Sequence, residues 1–201
     1  MNISKFEKDQ LMETMTIGAG NASAALSKLA DKIVEVAVPD VFVGRVEEVP
    51  EFFGDLGKVV TAVLVKISGD APGIMLLVFS PESALSMARI LNEGGRDMLM
   101  EINRSALREV GNIVSGHCLA AISKFIDLKL IQSVPDSATD MLGSVTDSLI
   151  AEIGTSFDTV LSFQIRFNVR GEDISGRFLF IFDPTATARI LEAVRRKFLP
   201  K

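Results

Sequence analysis

The sequence predicts one α/β domain made of two similar halves, in which an antiparallel-rich sheet lies between helices as a three-layer α-β-α sandwich. Three observations predict this fold. The chain repeats itself under a shift of 96 positions, each half has the same order of helical and strand patterns, and no linker rich in proline, glycine or serine separates the halves. At 201 residues the chain is long enough to bury a substantial core.

The repeat is visible in short segments that match in the same order in both halves. The shift superimposes Glu13 on Glu109, Gly20 on Gly116, Ser27-Lys28 on Ser123-Lys124 and Val38-Pro39-Asp40 on Val134-Pro135-Asp136. Later matches, "FSP" with "FDP" and two copies of "ARIL", need slightly different shifts, which indicates small insertions. Ordered matches along most of both halves are not expected by chance. We therefore interpret the chain as a duplication, with repeats at about 6–98 and 102–198.

Each half begins with a helix, predicted over 6–30 and 102–126 because apolar residues recur there with the helical period. A β-prone stretch follows and ends at Val-Pro-Asp, and a short helical segment comes next. Two strands of alternating polarity then form a hairpin in each half, around the loops "GDAPG" and "GED". Pro81 and Pro184 begin a closing helix, since proline is favoured in the first helical turn.

Composition and charge exclude several classes of function. The 21 Lys and Arg residues are outnumbered by 26 Asp and Glu, and without a basic run such a chain is poorly suited to bind nucleic acid. Cys118 is the one cysteine, so no internal disulfide forms, which fits a reducing compartment. The N-terminal segment lacks the apolar core of a signal peptide, and no apolar run reaches ~18 residues. We expect a cytoplasmic protein that does not enter a membrane.

The helix of the second half carries a narrow polar stripe. With about 100° per residue, Ser105, Glu109, Asn112 and Gly116 share one side of this helix. The apolar residues collect on the opposite side and form the expected core face: Leu107, Val110, Val114, Cys118, Ala121 and Phe125. The stripe should face outward, where Gly116 would leave room for the backbone of another molecule.

The first half repeats this stripe with Asp9, Glu13, Thr16 and Gly20. A single Glu-x-x-Asn is most simply interpreted as exposed polar surface on an amphipathic helix. Two features favour a functional role instead: the stripe occurs in both halves, and an asparagine between glycines is a poor helix former.

The residue inventory offers no self-contained catalytic site. One histidine and one cysteine cannot form a typical zinc site, and His117 is better interpreted as a half-buried structural residue. The chain shows no Ser-His or Cys-His nucleophile pair, and "GAGNAS" lacks the lysine of a phosphate-binding loop. Any chemistry at the stripe must therefore be completed by a partner.

The motif Ser105-x3-Glu109-x2-Asn112, the "IVSG" that follows it and the segment "IGAGNASAAL" resemble the CheC/CheX/FliY family of chemotaxis phosphatases, and its CheC branch most closely. The resemblance extends over nearly the whole chain, including the duplication. It implies hydrolysis of the aspartyl phosphate of the response regulator CheY. In that mechanism Asn112 would orient the attacking water, Glu109 would dock against the receiver's lysine, and Ser105 would lie at the edge of the contact.

The resemblance also implies that the chain needs no metal of its own, because CheY supplies Mg²⁺. The first copy of the motif, Asp9-x3-Glu13-x2-Thr16, departs at its last position. A hydroxyl is shorter than an amide, so we expect this first site to be weak or inactive. Glu13 remains a candidate catalytic residue there, and its helix could still dock CheY.

The family further implies CheD, a receptor-modifying deamidase, as a partner. The segment from Asp140 to Ser144, assigned to the second half's short helix, is similar to the family's partner-contact segment. Alternatively, this is an amphipathic helix whose apolar residues pack inward: Met141, Leu142, Val145 and Leu149. Two other functions stay open, a non-catalytic adapter that binds CheY or CheD and an unrelated structural protein. We expect a monomer, because the duplication supplies the symmetry of a dimer internally.

Overall fold

The computed structural model describes residues 4–45, 56–91, 101–153, 159–169 and 172–197. Five helices lie within these ranges: α1 (Lys5–Ala30), α2 (Pro81–Leu91), α3 (Glu101–Ile126), α4 (Leu142–Ile153) and α5 (Pro184–Arg196). The same ranges contain seven strands: β1 (Val34–Arg45), β2 (Val59–Gly69), β3 (Gly73–Phe79), β4 (Leu130–Gln132), β5 (Asp136–Met141), β6 (Thr159–Val169) and β7 (Glu172–Phe182). The two long predicted helices are confirmed to within one residue.

The other predicted elements are also found where the structure describes them. The two hairpins are β2–β3 and β6–β7, both antiparallel, and each closing helix begins at its predicted proline. The short helix of the second half is α4. In the first half β1 continues past Val-Pro-Asp to Arg45, and the rest of the predicted short helix falls on 46–55, outside the described residues.

The strands form one antiparallel sheet in the order β1-β6-β7-β3-β2-β4, with β5 also paired to β2. The first strand of each half pairs with the hairpin of the other half: β1 with β6, and β4 and β5 with β2. The order therefore reads the same from either edge when the halves are exchanged. A duplicated chain with pseudo-two-fold symmetry would produce this interleaving, which supports the predicted repeats.

Both Val-Pro-Asp segments interrupt strand pairing. In β1 the register against β6 shifts between Ala37 and Asp40. In the second half the ladder to β2 stops at Gln132 and resumes at Asp136. Proline has no N–H to donate, so a ladder is interrupted where that N–H would have faced the neighbouring strand. The second break ends β4 at Gln132, beside α3, where it becomes part of the candidate site.

Helices cover the two faces of the sheet unequally. The larger core lies between one face and α1, α2, α3 and α5, and contains five fully buried phenylalanines: Phe79, Phe163, Phe167, Phe178 and Phe180. On the other face Leu142 of α4 packs on a smaller apolar cluster that includes Val60, Ala62 and Leu76. The predicted α-β-α layering is confirmed. Throughout the described ranges, every helix falls short of what crossing a membrane would require.

The helices α1 and α3 cross at very close range. A Cβ atom added at Gly18 would lie 2.7 Å from the Cα of Cys118, nearer than side-chain carbons approach backbone. The Cys118 side chain is completely buried there, and burial raises the pKa of its thiol to about 12. Cys118 therefore remains a protonated packing residue at neutral pH.

The start of α1 is tied to α5 through a buried carboxylate. Ser4 and Glu7 form a capping box in which each side chain accepts from the other residue's backbone N–H. Arg195 of α5 donates from Nε to Glu7 Oε1 at 2.7 Å. The hydrogen bonds from Ser4 and, less strongly, the Arg195 guanidinium lower the pKa of Glu7, although burial opposes them.

This lowered pKa makes the fold sensitive to acid. A depressed carboxyl pKa stabilises the folded state above the unfolded-state pKa of about 4.3, and the contribution is lost as pH falls through the folded-state value. We expect Glu7→Gln to reduce the free energy of unfolding at pH 7 and to flatten its decline below about pH 4. Urea unfolding at both pH values measures this. Glu192→Gln, which removes an exposed pair with Arg196, is the control; an equally flattened decline there would contradict the assignment.

Candidate functional site

The polar stripe of α3 lies at the surface as expected. Ser105 and Glu109 are exposed, whereas Asn112 and Gly116 are half-buried. On the opposite side, two residues of the predicted core face, Ala121 and Phe125, are half-buried. The other four are fully buried: Leu107, Val110, Val114 and Cys118. Helical periodicity thus identifies which side of α3 can meet a partner.

The stripe forms one wall of a shallow, open groove of about 400 Å³. Ser105, Glu109 and Asn112 line it from the helix, and residues 132–135, the end of β4 and the segment that leads to β5, line it from the sheet. This segment includes the break in strand pairing at the second Val-Pro-Asp. The site is therefore a groove between a helix and a sheet edge.

Asn112 is held inside this groove by a hydrogen-bond network. Gln132 donates from Nε2 to the side-chain Oδ1 of Asn112 at 2.8 Å. The buried Ser115 hydroxyl lies 3.0 Å from Gln132 Oε1 and 3.3 Å from the backbone oxygen of Asn112. Sequence reasoning missed Gln132 and Ser115. Gln132 lies in a β-prone stretch, and only the tertiary fold brings it into contact with α3.

The surroundings of Gly116 differ from the expectation. A Cβ atom added at Gly116 would lie 3.4 Å from Nε2 of Gln132. This is an ordinary van der Waals distance, so the chain's own Gln132 lies beside Gly116 without requiring the absence of a side chain. A backbone contact between Gly116 and another molecule stays a prediction.

Near the groove the two arginines of α3 form ion pairs within the helix, whereas Glu109 does not. Arg108 forms an ion pair with Glu101, which also pairs with Arg104. Arg108 is the main cause of the lowered pKa of Glu101. Within the part of the chain that is described, Glu109 has no ion-pair partner. Its exposed carboxylate is thus available to a cation on another molecule.

The first stripe is exposed on α1 but is built differently. Asp9, Glu13, Thr16 and Gly20 are all exposed. The Thr16 hydroxyl donates to the backbone oxygen of Met12 at 2.9 Å, so its proton is used within its own helix. The 96-residue shift places buried Ala19 and Val36 where the second half has Ser115 and Gln132. These four residues share a helix face without a supporting polar network of that kind.

The predicted CheD-contact segment was partly misassigned. Asp140 and Met141 are the last two residues of strand β5, Asp140 accepts a hydrogen bond from the N–H of Met141, and α4 begins only at Leu142. The inward packing considered for this segment is found for Leu142 and partly for Val145, but Met141 is 51% exposed. The side chain of Leu149 lies outside the described residues. Strand pairing with β2 extends to Met141 and overrides the helical pattern there.

Sequence comparison finds similarity to known proteins over most of the chain. A sequence model of the CheC-like family matches residues 102–137, which contain most of α3 and the residues 132–135 that line the other side of the groove. The CheY-P phosphatase CheC of Bacillus subtilis (strain 168) is 30% identical over 157 residues, covering 75% of this chain and 75% of that protein.

Solved structures share the fold. FliY of Thermotoga maritima superimposes with a TM-score of 0.77 at 19% identity, over 98% of this chain and all of that chain. A chain of the CheX-CheY-BeF3-Mg²⁺ complex from Borrelia burgdorferi superimposes with a TM-score of 0.50 at 18% identity, over 84% of this chain and 96% of that chain. Sequence identity with CheC over three quarters of both proteins, together with this common fold, shows that the chain belongs to the CheC-like family, within the CheC/CheX/FliY group of chemotaxis proteins.

Proposed function

We propose that this protein is a phosphatase that hydrolyses the aspartyl phosphate of phosphorylated CheY. The observation that carries the proposal is the groove in which Asn112 and Glu109 stand side by side on α3, inside the region matched by the family. The name of the Bacillus subtilis relative, a CheY-P phosphatase, supports this reaction, and the Borrelia complex supports CheY as the partner.

Asn112 has the chemistry to position the attacking water. Phosphoryl transfer depends mainly on in-line positioning and charge stabilisation. The amide oxygen of Asn112 has a second lone pair beyond the one used by Gln132, and this can accept a hydrogen bond from the water. Its NH₂ group can donate to a phosphoryl oxygen without adding negative charge. In this mechanism the receiver domain supplies Mg²⁺ and a lysine, and the chain contributes no metal.

Glu109 is proposed to dock the receiver through that lysine. It lies three residues before Asn112, so the two side chains project from the same part of the helix. Opposite charges across an interface fix the register in which two proteins meet. Ser105 lies one turn earlier on the exposed stripe and would border the contact. Docking at Glu109 would thus bring the phosphoryl group to Asn112.

We expect the second site to dominate the first. Glu109→Ala should lower kcat/KM for phospho-CheY about tenfold, mainly through KM, because a docking charge is lost. Glu13→Ala should change kcat/KM by about twofold at most, since Thr16 cannot replace the amide of Asn112. Steady-state dephosphorylation with Mg²⁺ present measures both. A larger loss with Glu13→Ala than with Glu109→Ala would show that the assignment of the sites is reversed.

CheD is proposed as a further partner that contacts the surface around Asp140. Asp140 is exposed and lines a cavity of about 280 Å³ between the sheet and α4, with Ser144 and Val145 also in its lining. Asp140→Lys should abolish co-elution with CheD, because the charge at the contact is reversed. Asp147→Lys, an exposed position farther along α4, is the control. An unchanged complex with Asp140→Lys would place the contact elsewhere.

A further inference from the structure

We propose that Gln132 and Ser115 are positioning residues that fix both the place and the polarity of the Asn112 amide. The inference rests on the proposed function of Asn112 and deepens it. Gln132 Nε2 lies 2.8 Å from Asn112 Oδ1, and Gln132 Oε1 lies 3.0 Å from the Ser115 hydroxyl. Both ends of the Gln132 amide are therefore hydrogen-bonded: the nitrogen to Asn112 and the oxygen to the buried Ser115 hydroxyl.

The backbone determines which way this network runs. The backbone oxygen of Asn112 can only accept hydrogen bonds, and it lies 3.4 Å from Gln132 Nε2. If the Gln132 amide were reversed, its oxygen would face that carbonyl oxygen. Gln132 must therefore direct its NH₂ group at Asn112, so Oδ1 of Asn112 faces Gln132. The Asn112 NH₂ group and one lone pair of Oδ1 are left for the substrate.

The supports are attached to rigid parts of the fold. Ser115 is 1% exposed and lies on α3 one turn after Asn112. Gln132 is the last residue of β4 and pairs with Ile67 of β2. The network thus links helix and sheet at the catalytic asparagine. An error of about 1 Å in the position of a reacting group can lower a rate by about 10²-fold, so such supports affect catalysis directly.

The first half provides an internal comparison. Where Asn112 is replaced by Thr16, the positions matching Ser115 and Gln132 hold Ala19 and Val36. The first half therefore lacks the asparagine amide, the serine hydroxyl and the glutamine amide together. Ser115 and Gln132 thus occur only in the half that has the asparagine, which is expected if they position its amide.

The test uses the residue that the first half itself carries at the matching position. Gln132→Val should lower kcat for phospho-CheY on the order of tenfold and leave KM within about twofold, because docking at Glu109 is retained. Ser115→Ala should lower kcat in the same direction by a smaller factor. Ser68→Ala is the matched control: it removes a 3.3 Å hydrogen bond to Ile131 in the same edge strand and should leave kcat unchanged.

A second measurement separates positioning from general loosening. In ¹⁵N-labelled protein, the side-chain order parameter of Asn112 should fall in Gln132→Val and stay unchanged in Ser68→Ala. A lower kcat without a change at Asn112, a change at Asn112 without a lower kcat, or no change in either would overturn the inference. Asn112→Ala is assayed in parallel. A full rate for that variant would refute the proposed role of Asn112, while the order parameter still reports whether Gln132 holds it.

Discussion

Replacing Asn112 with alanine is expected to lower the dephosphorylation rate of phospho-CheY by about 10²–10³-fold, close to its spontaneous rate. Loss of one well-placed polar group from a transition state commonly has an effect of this size. Binding of CheY should persist, because Glu109 and Ser105 are unchanged. The measurement is release of phosphate from phospho-CheY with Mg²⁺ present, together with the affinity of the two proteins.

The control for this experiment is Asn21→Ala, the same change at an exposed asparagine of α1 outside the groove. It should retain the wild-type rate. Equal acceleration by wild type and Asn112→Ala would move the chemistry away from the groove. If the wild-type protein binds phospho-CheY without accelerating hydrolysis, even with CheD present, the adapter function is correct and the phosphatase proposal is wrong.

Replacing Gly18 with alanine is expected to destabilise the fold by about 1–3 kcal/mol, the usual range for overpacking a tight contact. The added Cβ would lie 2.7 Å from the Cα of Cys118 and 3.1 Å from the backbone oxygen of His117. Backbone atoms cannot rotate away as a side chain can, so α1 and α3 would have to separate. Chemical denaturation with two-state analysis measures the change in the free energy of unfolding.

Gly20 offers the matched control in the same helix. A Cβ added at Gly20 meets nothing within 4 Å. Because alanine is the better helix former, Gly20→Ala should stabilise the protein by about 0.5–1 kcal/mol. The two substitutions are therefore expected to have opposite signs. A Gly18→Ala variant as stable as Gly20→Ala would mean that the helices do not cross this closely.

The elements of the fold were predictable because their signals are local. Helical period, strand alternation and the prolines at 81 and 184 act within a few residues, and the structure follows them. The end of β5 is an exception, because pairing with β2 keeps Asp140 and Met141 in a strand.

Only one wall of the candidate site could be predicted from the sequence. Ser105, Glu109 and Asn112 share a helix, so their spacing places them together. The opposite wall comes from the end of β4 and the segment between β4 and β5, and periodicity within α3 carries no information about which segment lies beside it. Gln132 could have been suspected from the first half, where Val36 stands at the matching position. That comparison gains meaning only once Gln132 is seen in contact with Asn112.

The exchange of first strands between the halves has a consequence for biosynthesis. Among the described residues β1 pairs only with β6, so 34–45 has no strand partner until 159–169 has been made. At about 5–20 residues per second, the nascent chain waits on the order of ten seconds with that edge open. Sheets assembled from such distant segments also fold slowly, because closing a long loop precedes the gain from pairing. The symmetry that completes the sheet therefore delays its completion until most of the chain has been translated.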